Sequence, residues 1–128
     1  IENNPNKIII TERSIYTDKY VFAKMLFESG NISDIEFQTY NYWFETFENK
    51  TKIDIILYVN TEPEECINRI KMRNRTEESG VKLEYLKTCH IKHNDWLKNK
   101  QDSKVIYING HQNKNNMIKD VLEFVNKI

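Results

Sequence analysis

Three short apolar runs, "KIII" at residues 7–10, "IDIILYV" at 53–59 and "KVIYI" at 104–108, are each followed by a longer segment whose apolar residues recur at helical spacing. This alternation constrains the fold more than any other feature of the chain. Runs of Ile and Val without polar alternation suit strands covered on both faces, and such strands belong to parallel sheets whose crossovers are helices. Strand, helix and strand in turn therefore predict an α/β domain with a mostly parallel sheet. The 128 residues suit a single domain over 1–128, near the low end of the roughly 100 to 200 expected of one.

The helical segments have readable ends. Thr17 or Asp18 could cap a helix running to about Gly30, with Tyr16, Tyr20, Ala23 and Phe27 on one face. Ser33 to Glu36 form a capping box opening a second helix, in which Tyr40, Phe44 and Phe47 extend an aromatic stripe suited to a core. Thr61, Pro63 and Glu64 mark the start of a third helix reaching about Arg73. The polar stretch "RNRTEESGV" then breaks the pattern, a fourth helix spans about Leu83 to Lys98, and "NMIKDVLEFVNKI" closes the chain.

Composition excludes several classes of function. Lys plus Arg equal Asp plus Glu, at 19 each, so no long-range positive field draws the chain to nucleic acid or to an anionic membrane. Two cysteines, Cys66 and Cys89, are too few for a disulfide framework and suit a reducing compartment. No apolar run approaches the roughly 20 residues of a membrane span, and "IENNPNK" lacks the basic-then-apolar order of a signal peptide. These features predict a soluble, cytoplasmic protein.

Two charged clusters stand out. Glu12 and Arg13 follow directly on "KIII", at a strand's carboxyl end, where open parallel sheets bind ligands. The pair could hold a metal-bound water and a reacting hydroxyl, or simply tie a strand to a loop. Arg69 and Arg73 lie at i and i+4, hence on one helix face, and Arg75, Glu77 and Glu78 follow in the polar break. Guanidinium forks match phosphate oxygens, and a mobile arginine loop can close over a nucleotide. A solvated face with its own ion pairs is the other reading.

In series, "ERSIYTDKYVFAKML", "INRIKMRNRTEESGVKLEYL" and "HIKHNDWL" resemble the deoxynucleoside kinases, in order and over nearly the whole chain. The resemblance implies a P-loop kinase fold that transfers the γ-phosphoryl group of ATP to the 5′-hydroxyl of a deoxynucleoside. By the same resemblance Glu12 would help hold Mg²⁺, and Arg13 would sit beside the attacking hydroxyl. Asp18 would read the base edge through a neighbouring arginine, Phe22 would stack on the base, and Glu78 would accept from the 3′-hydroxyl. Arg69, Arg73 and Arg75 would form the lid that neutralises the transferring phosphate. Asp18 further implies deoxycytidine or purine deoxynucleosides, because thymidine-preferring members carry a small residue there. Cys89, His90 and His93 have the residue types of a metal site, but the matching helix of the family uses such histidines structurally. Homodimers are common among the relatives.

One departure is large. The only glycines are Gly30, Gly80 and Gly110, so no G-x-x-x-x-G-K-[ST] loop exists in the chain. The family's phosphate loop, general-base carboxylate and base-reading glutamine all precede the ERS motif. The expectation is therefore the C-terminal portion of a kinase domain, lacking the central strand of its sheet and inactive without an N-terminal segment. "NGHQNK" at 109–114 stands where an adenine-contacting loop would be, with too little likeness to name contacts. A thymidylate-kinase-like nucleotide kinase and a non-catalytic remnant that binds a nucleoside or a partner chain are the alternatives. The EES after the arginines and the Asp18-to-Phe22 spacing favour the nucleoside kinase.

Overall fold

The computed structural model describes residues 8–128; the "IENNPNK" segment, including Lys7 of "KIII", lies outside them. The elements in order are α1 (Ile15–Thr17), a π-helical turn (Asp18–Ala23), α2 (Lys24–Glu28), α3 (Asp34–Phe47), β1 (Ile55–Asn60), α4 (Pro63–Arg73), α5 (Leu83–Lys98), β2 (Lys104–Asn109) and α6 (Lys114–Val125). Short 3₁₀ turns occupy Glu48–Lys50 and Thr76–Glu78. β1 and β2 pair in parallel from Ile55 opposite Lys104 to Asn60 opposite Asn109, with α4 and α5 forming the crossover.

"KIII" does not form the expected strand among the described residues. Ile8, Ile9 and Ile10 are unpaired and 62, 48 and 72 % exposed. A strand exists through ladder hydrogen bonds to a neighbour, and no described strand lies alongside these three residues. β1 and β2 are likewise only half covered, with Val59 and Tyr107 exposed. Two strands and their helices do not bury both faces, contrary to what the unbroken apolar runs predict.

α1, the π turn and α2 run as one helix, and its start differs from expectation. Ser14, not Thr17 or Asp18, is the extended residue before the first turn, and Thr17 is buried inside the helix. The end is as read: Gly30 takes φ +72° and closes a Schellman motif, its N–H donating to the Phe27 carbonyl at 3.0 Å and the Asn31 N–H to Leu26 at 2.9 Å. The capping box opens α3 with the Ser33 N–H donating to Glu36 Oε2 at 2.7 Å. Pro63 occupies the first turn of α4, and Asn74 stops that helix with φ +50°.

The core lies where the first helix meets α3 and α5. Val21 and Phe44 are fully buried, with Tyr16, Ala23 and Leu97 around them. Tyr16 and Tyr20 set their rings edge-on to Phe44 at 5.5 and 6.2 Å, Tyr20 stacks on Trp96 at 5.9 Å, and Phe27 stacks on Phe37 at 4.3 Å. Such pairs add to the area they bury, and together they fix the helix that carries Asp18 and Phe22. Gly110, just past β2, is required by close approach: a Cβ there would overlap the Thr61 hydroxyl and stand 2.7 Å from the Asn60 carbonyl.

Candidate active site

Arg13 has φ +107°, a conformation sparsely populated by residues other than glycine. Strain of this kind persists only where the surroundings hold it, and it gathers at functional positions. What holds Arg13 is aromatic. Its guanidinium carbon lies 4.9 Å from the centre of the Phe22 ring, a cation–π contact. The π turn carries Phe22, and π turns are themselves concentrated at functional sites.

Helix α5 forms the opposite wall. His93 presents its ring to the edge of Phe22 at 6.3 Å, stacks on Tyr58 of β1 at 5.7 Å, and donates from Nδ1 to the Cys89 carbonyl at 2.7 Å. Burial lowers the His93 pKa, and the positive charge of Arg13 lowers it further, so the ring packs as neutral imidazole. Burial raises the Cys89 thiol, with Tyr85 and Arg13 opposing the shift, and also carries Tyr58 up to about 12. Beside Phe22 opens a cleft of about 520 Å³ that Met25, Leu26, Tyr85 and Thr88 also line. Cys89, His90 and His93 do not gather into a metal site: no group of three such ligands occurs among the described residues.

Asp18, in the same π turn, is exposed, and its Oδ2 accepts from the Tyr40 hydroxyl at 2.9 Å. Burial and then this carboxylate raise the Tyr40 pKa far above its ordinary range, so the phenol remains a donor. No arginine bonds Asp18 among the described residues. Glu12 is exposed, and neither it nor Arg13 makes an ion pair among the described residues. A carboxylate so placed fits Mg²⁺, which takes one or two protein carboxylates and completes its shell with water and phosphate oxygens.

The arginines of α4 divide into two groups. Arg69 donates from Nε to Glu65 and from Nη2 to the Gly110 carbonyl, both at 2.8 Å, joining α4 to the turn after β2. Arg73 and Arg75 instead meet on Glu78, with Arg73 Nη2 3.0 Å from Oε2 and Arg75 Nη1 3.7 Å from Oε1. Exposed ion pairs contribute about 0–1 kcal/mol, so either arginine leaves its partner at little cost. Tyr85, on the first turns of α5, lines the same cleft as Phe22, and this helix begins just after the arginine loop.

The family model for deoxynucleoside kinases matches residues 2–128. The chain belongs to the deoxynucleoside kinase family. It is 46% identical over 90 residues to deoxycytidine kinase 2 of Gallus gallus, covering 67% of this chain and 34% of the relative. To the deoxycytidine kinase of Bos taurus it is 40% identical over 94 residues, 70% of this chain and 36% of the relative. The chain thus spans about a third of the length of these curated relatives. A solved deoxyadenosine kinase from M. mycoides with bound dCTP superposes with a TM-score of 0.77 at 23% identity, covering 91% of this chain and 62% of that one. The fold is that part of the P-loop kinase fold, a parallel sheet flanked by helices.

Within this deoxynucleoside kinase fold the structure brings together Arg13 and Phe22, and separately Arg73, Arg75 and Glu78, while Arg69 stands apart with Gly110. Tyr40 is not marked as a site residue by the sequence, and His93 stands out there only as one of three residues of metal-ligand type. Tyr40 sits in an apolar stripe like any core aromatic, and only the crossing of α3 over the first helix discloses its bond to Asp18. For His93 the signal was its i+4 spacing from Cys89, which reads equally well as a helix-internal bond.

Proposed function

We propose that this chain is the substrate-gripping and lid-bearing portion of an ATP-dependent deoxynucleoside kinase, acting on the 5′-hydroxyl of deoxycytidine or a purine deoxynucleoside. The observation that carries the reading is the strained Arg13, next to Glu12 in the chain, seated on the Phe22 ring that lines an apolar cleft. Phosphoryl transfer needs in-line positioning and charge neutralisation more than covalent help, and the residues divide those tasks.

Phe22 offers a face on which the base stacks, and Asp18, oriented by the Tyr40 hydroxyl, reads its polar edge. Arg13 steers the 5′-oxygen, and Glu78 accepts from the 3′-hydroxyl. Arg73 and Arg75 leave Glu78 to neutralise the transferring group, and Arg69 contacts ATP from the Gly110 side. Glu12 would hold Mg²⁺, which when bound offsets the charge of the polyphosphate. Residues 1–128 form part of one kinase domain, and the Gly-rich cradle and the base that takes the 5′-proton belong to a preceding segment. That segment's strand would also cover the exposed Ile8 to Ile10. No helix of the described residues is long and apolar enough to cross a membrane. We place the enzyme in the cytoplasm, with ATP and a deoxynucleoside as partners and a second copy as its mate, and without nucleic acid.

The test uses the complete gene product and the 128-residue chain side by side, with ATP and each of the four common deoxynucleosides. The complete product should form 5′-monophosphates and the short chain none. Turnover by the short chain, or none by the complete product, would overturn the reading.

A further inference from the structure

Glu78 does something that recognition of a sugar does not require: one carboxylate receives two guanidinium groups, one on each oxygen, at 3.0 and 3.7 Å. The three partners differ in how firmly they are held. The Thr76–Glu78 turn is pinned by the Glu78 N–H donating to Arg75, Ser79 N–H to Thr76, Val81 N–H to Glu78, and the Ser79 hydroxyl to Thr76. The Glu78 side chain is only 22 % exposed. Arg73 and Arg75, on either side of the left-handed Asn74, are 51 and 59 % exposed. Two like charges two residues apart repel, and long exposed side chains hold no single geometry without a partner. The carboxylate is the fixed point and the arginines are what it fixes.

We propose that Glu78 is a positioning residue that clasps Arg73 and Arg75 side by side before substrate arrives, so that sugar recognition and charge neutralisation share one carboxylate. The clasp is weak enough to exchange: a polyphosphate, carrying more charge than one carboxylate, draws the guanidinium groups away and leaves Glu78 free for a sugar hydroxyl. In its catalytic half the inference rests on the deoxynucleoside kinase reading; the clasp itself does not.

Both halves are tested in the complete protein with Glu78→Gln. Trypsin cleavage after Arg73 and Arg75 should quicken several-fold in the variant, with cleavage after Lys119 unchanged. In turnover, the kcat with 2′,3′-dideoxycytidine should fall several-fold, the scale that exposed ion pairs can supply, and the kcat with deoxycytidine by at least as much, since it also loses the 3′-hydroxyl contact. A role confined to the sugar contact would instead penalise only the substrate bearing the 3′-hydroxyl. Equal trypsin rates in the two proteins, or a kcat loss restricted to deoxycytidine, would overturn the proposal. A wild-type protein that phosphorylates neither nucleoside would sink the kinase reading, and the trypsin comparison would still decide the clasp.

Discussion

Adding one methyl group at Gly110 should loosen the far end of the sheet and the arginine anchored there. In Gly110→Ala the new Cβ meets the Thr61 hydroxyl and comes within 2.7 Å of the Asn60 carbonyl. The hydroxyl can rotate away, but the carbonyl is part of the backbone that accepts the Gly110 N–H at 2.8 Å. Overpacking a filled position costs about 1–3 kcal/mol, and weakening that hydrogen bond adds about 0.5–1.5 kcal/mol. A loss of about 2–4 kcal/mol is expected. At about 2–4 °C per kcal/mol for a protein of 150–250 residues, Tm should fall by roughly 4–16 °C in a thermal melt of the complete protein. Because the Gly110 carbonyl also accepts from Arg69, the KM for ATP should rise. Thr61→Ala in the same background should recover only part of the Tm, since the backbone overlap remains. A Tm within about 1 °C of wild type, or full recovery in the double variant, would refute the close-approach argument.

Arg73→Ala and Arg75→Ala should each lower kcat by on the order of 10³ or more, as arginines that stabilise charge in phosphoryl transfer do, with Tm nearly unchanged because exposed charged residues matter little to folding; steady-state kinetics and a melt read both. The His93 pKa is lowered in the folded state. Its contribution to stability is therefore complete above the unfolded value of about 6.5 and is lost as pH falls from there through the lowered folded value. Tm should fall from pH 7 to 5, and more shallowly in His93→Phe, which a pH series of melts would show. Asp18→Ala should raise kcat/KM for thymidine relative to deoxycytidine, and a wild type that already prefers thymidine tenfold would contradict it.

Signals that act within a few residues could be read directly from the chain. The Ser33 to Glu36 box, Pro63 at the start of α4 and Gly30 beyond α2 each satisfy helix-end groups within one turn, so their meaning does not depend on the rest of the fold. The apolar runs of β1 and β2 announced strands, and each finds its partner in the other. "KIII" has the same composition, but a strand also needs a neighbour, and composition does not say whether one is present. Tyr40 on Asp18 and the clasp on Glu78 depend on the crossing of two helices and on the shape of a single turn. The order of the ERS, arginine and KHNDWL stretches pointed to the family; which arginines stand together was decided by geometry.

The π turn at Asp18–Ala23 keeps a count of residues. Each residue of an α-helix turns the chain by about 100°, and the wider turn takes up one residue more without breaking the helix. Delete a single residue within that turn and regular α-helix should return with its two ends still in phase, because the π turn rotates the chain about as far as an α-helical stretch one residue shorter. Tyr16 would stay on Phe44 and Phe27 on Phe37. What would be lost is the bulge that carries Phe22 to Arg13. A gap in this window of a sequence comparison therefore marks a change in the cleft beside Phe22, made without disturbing the core on either side.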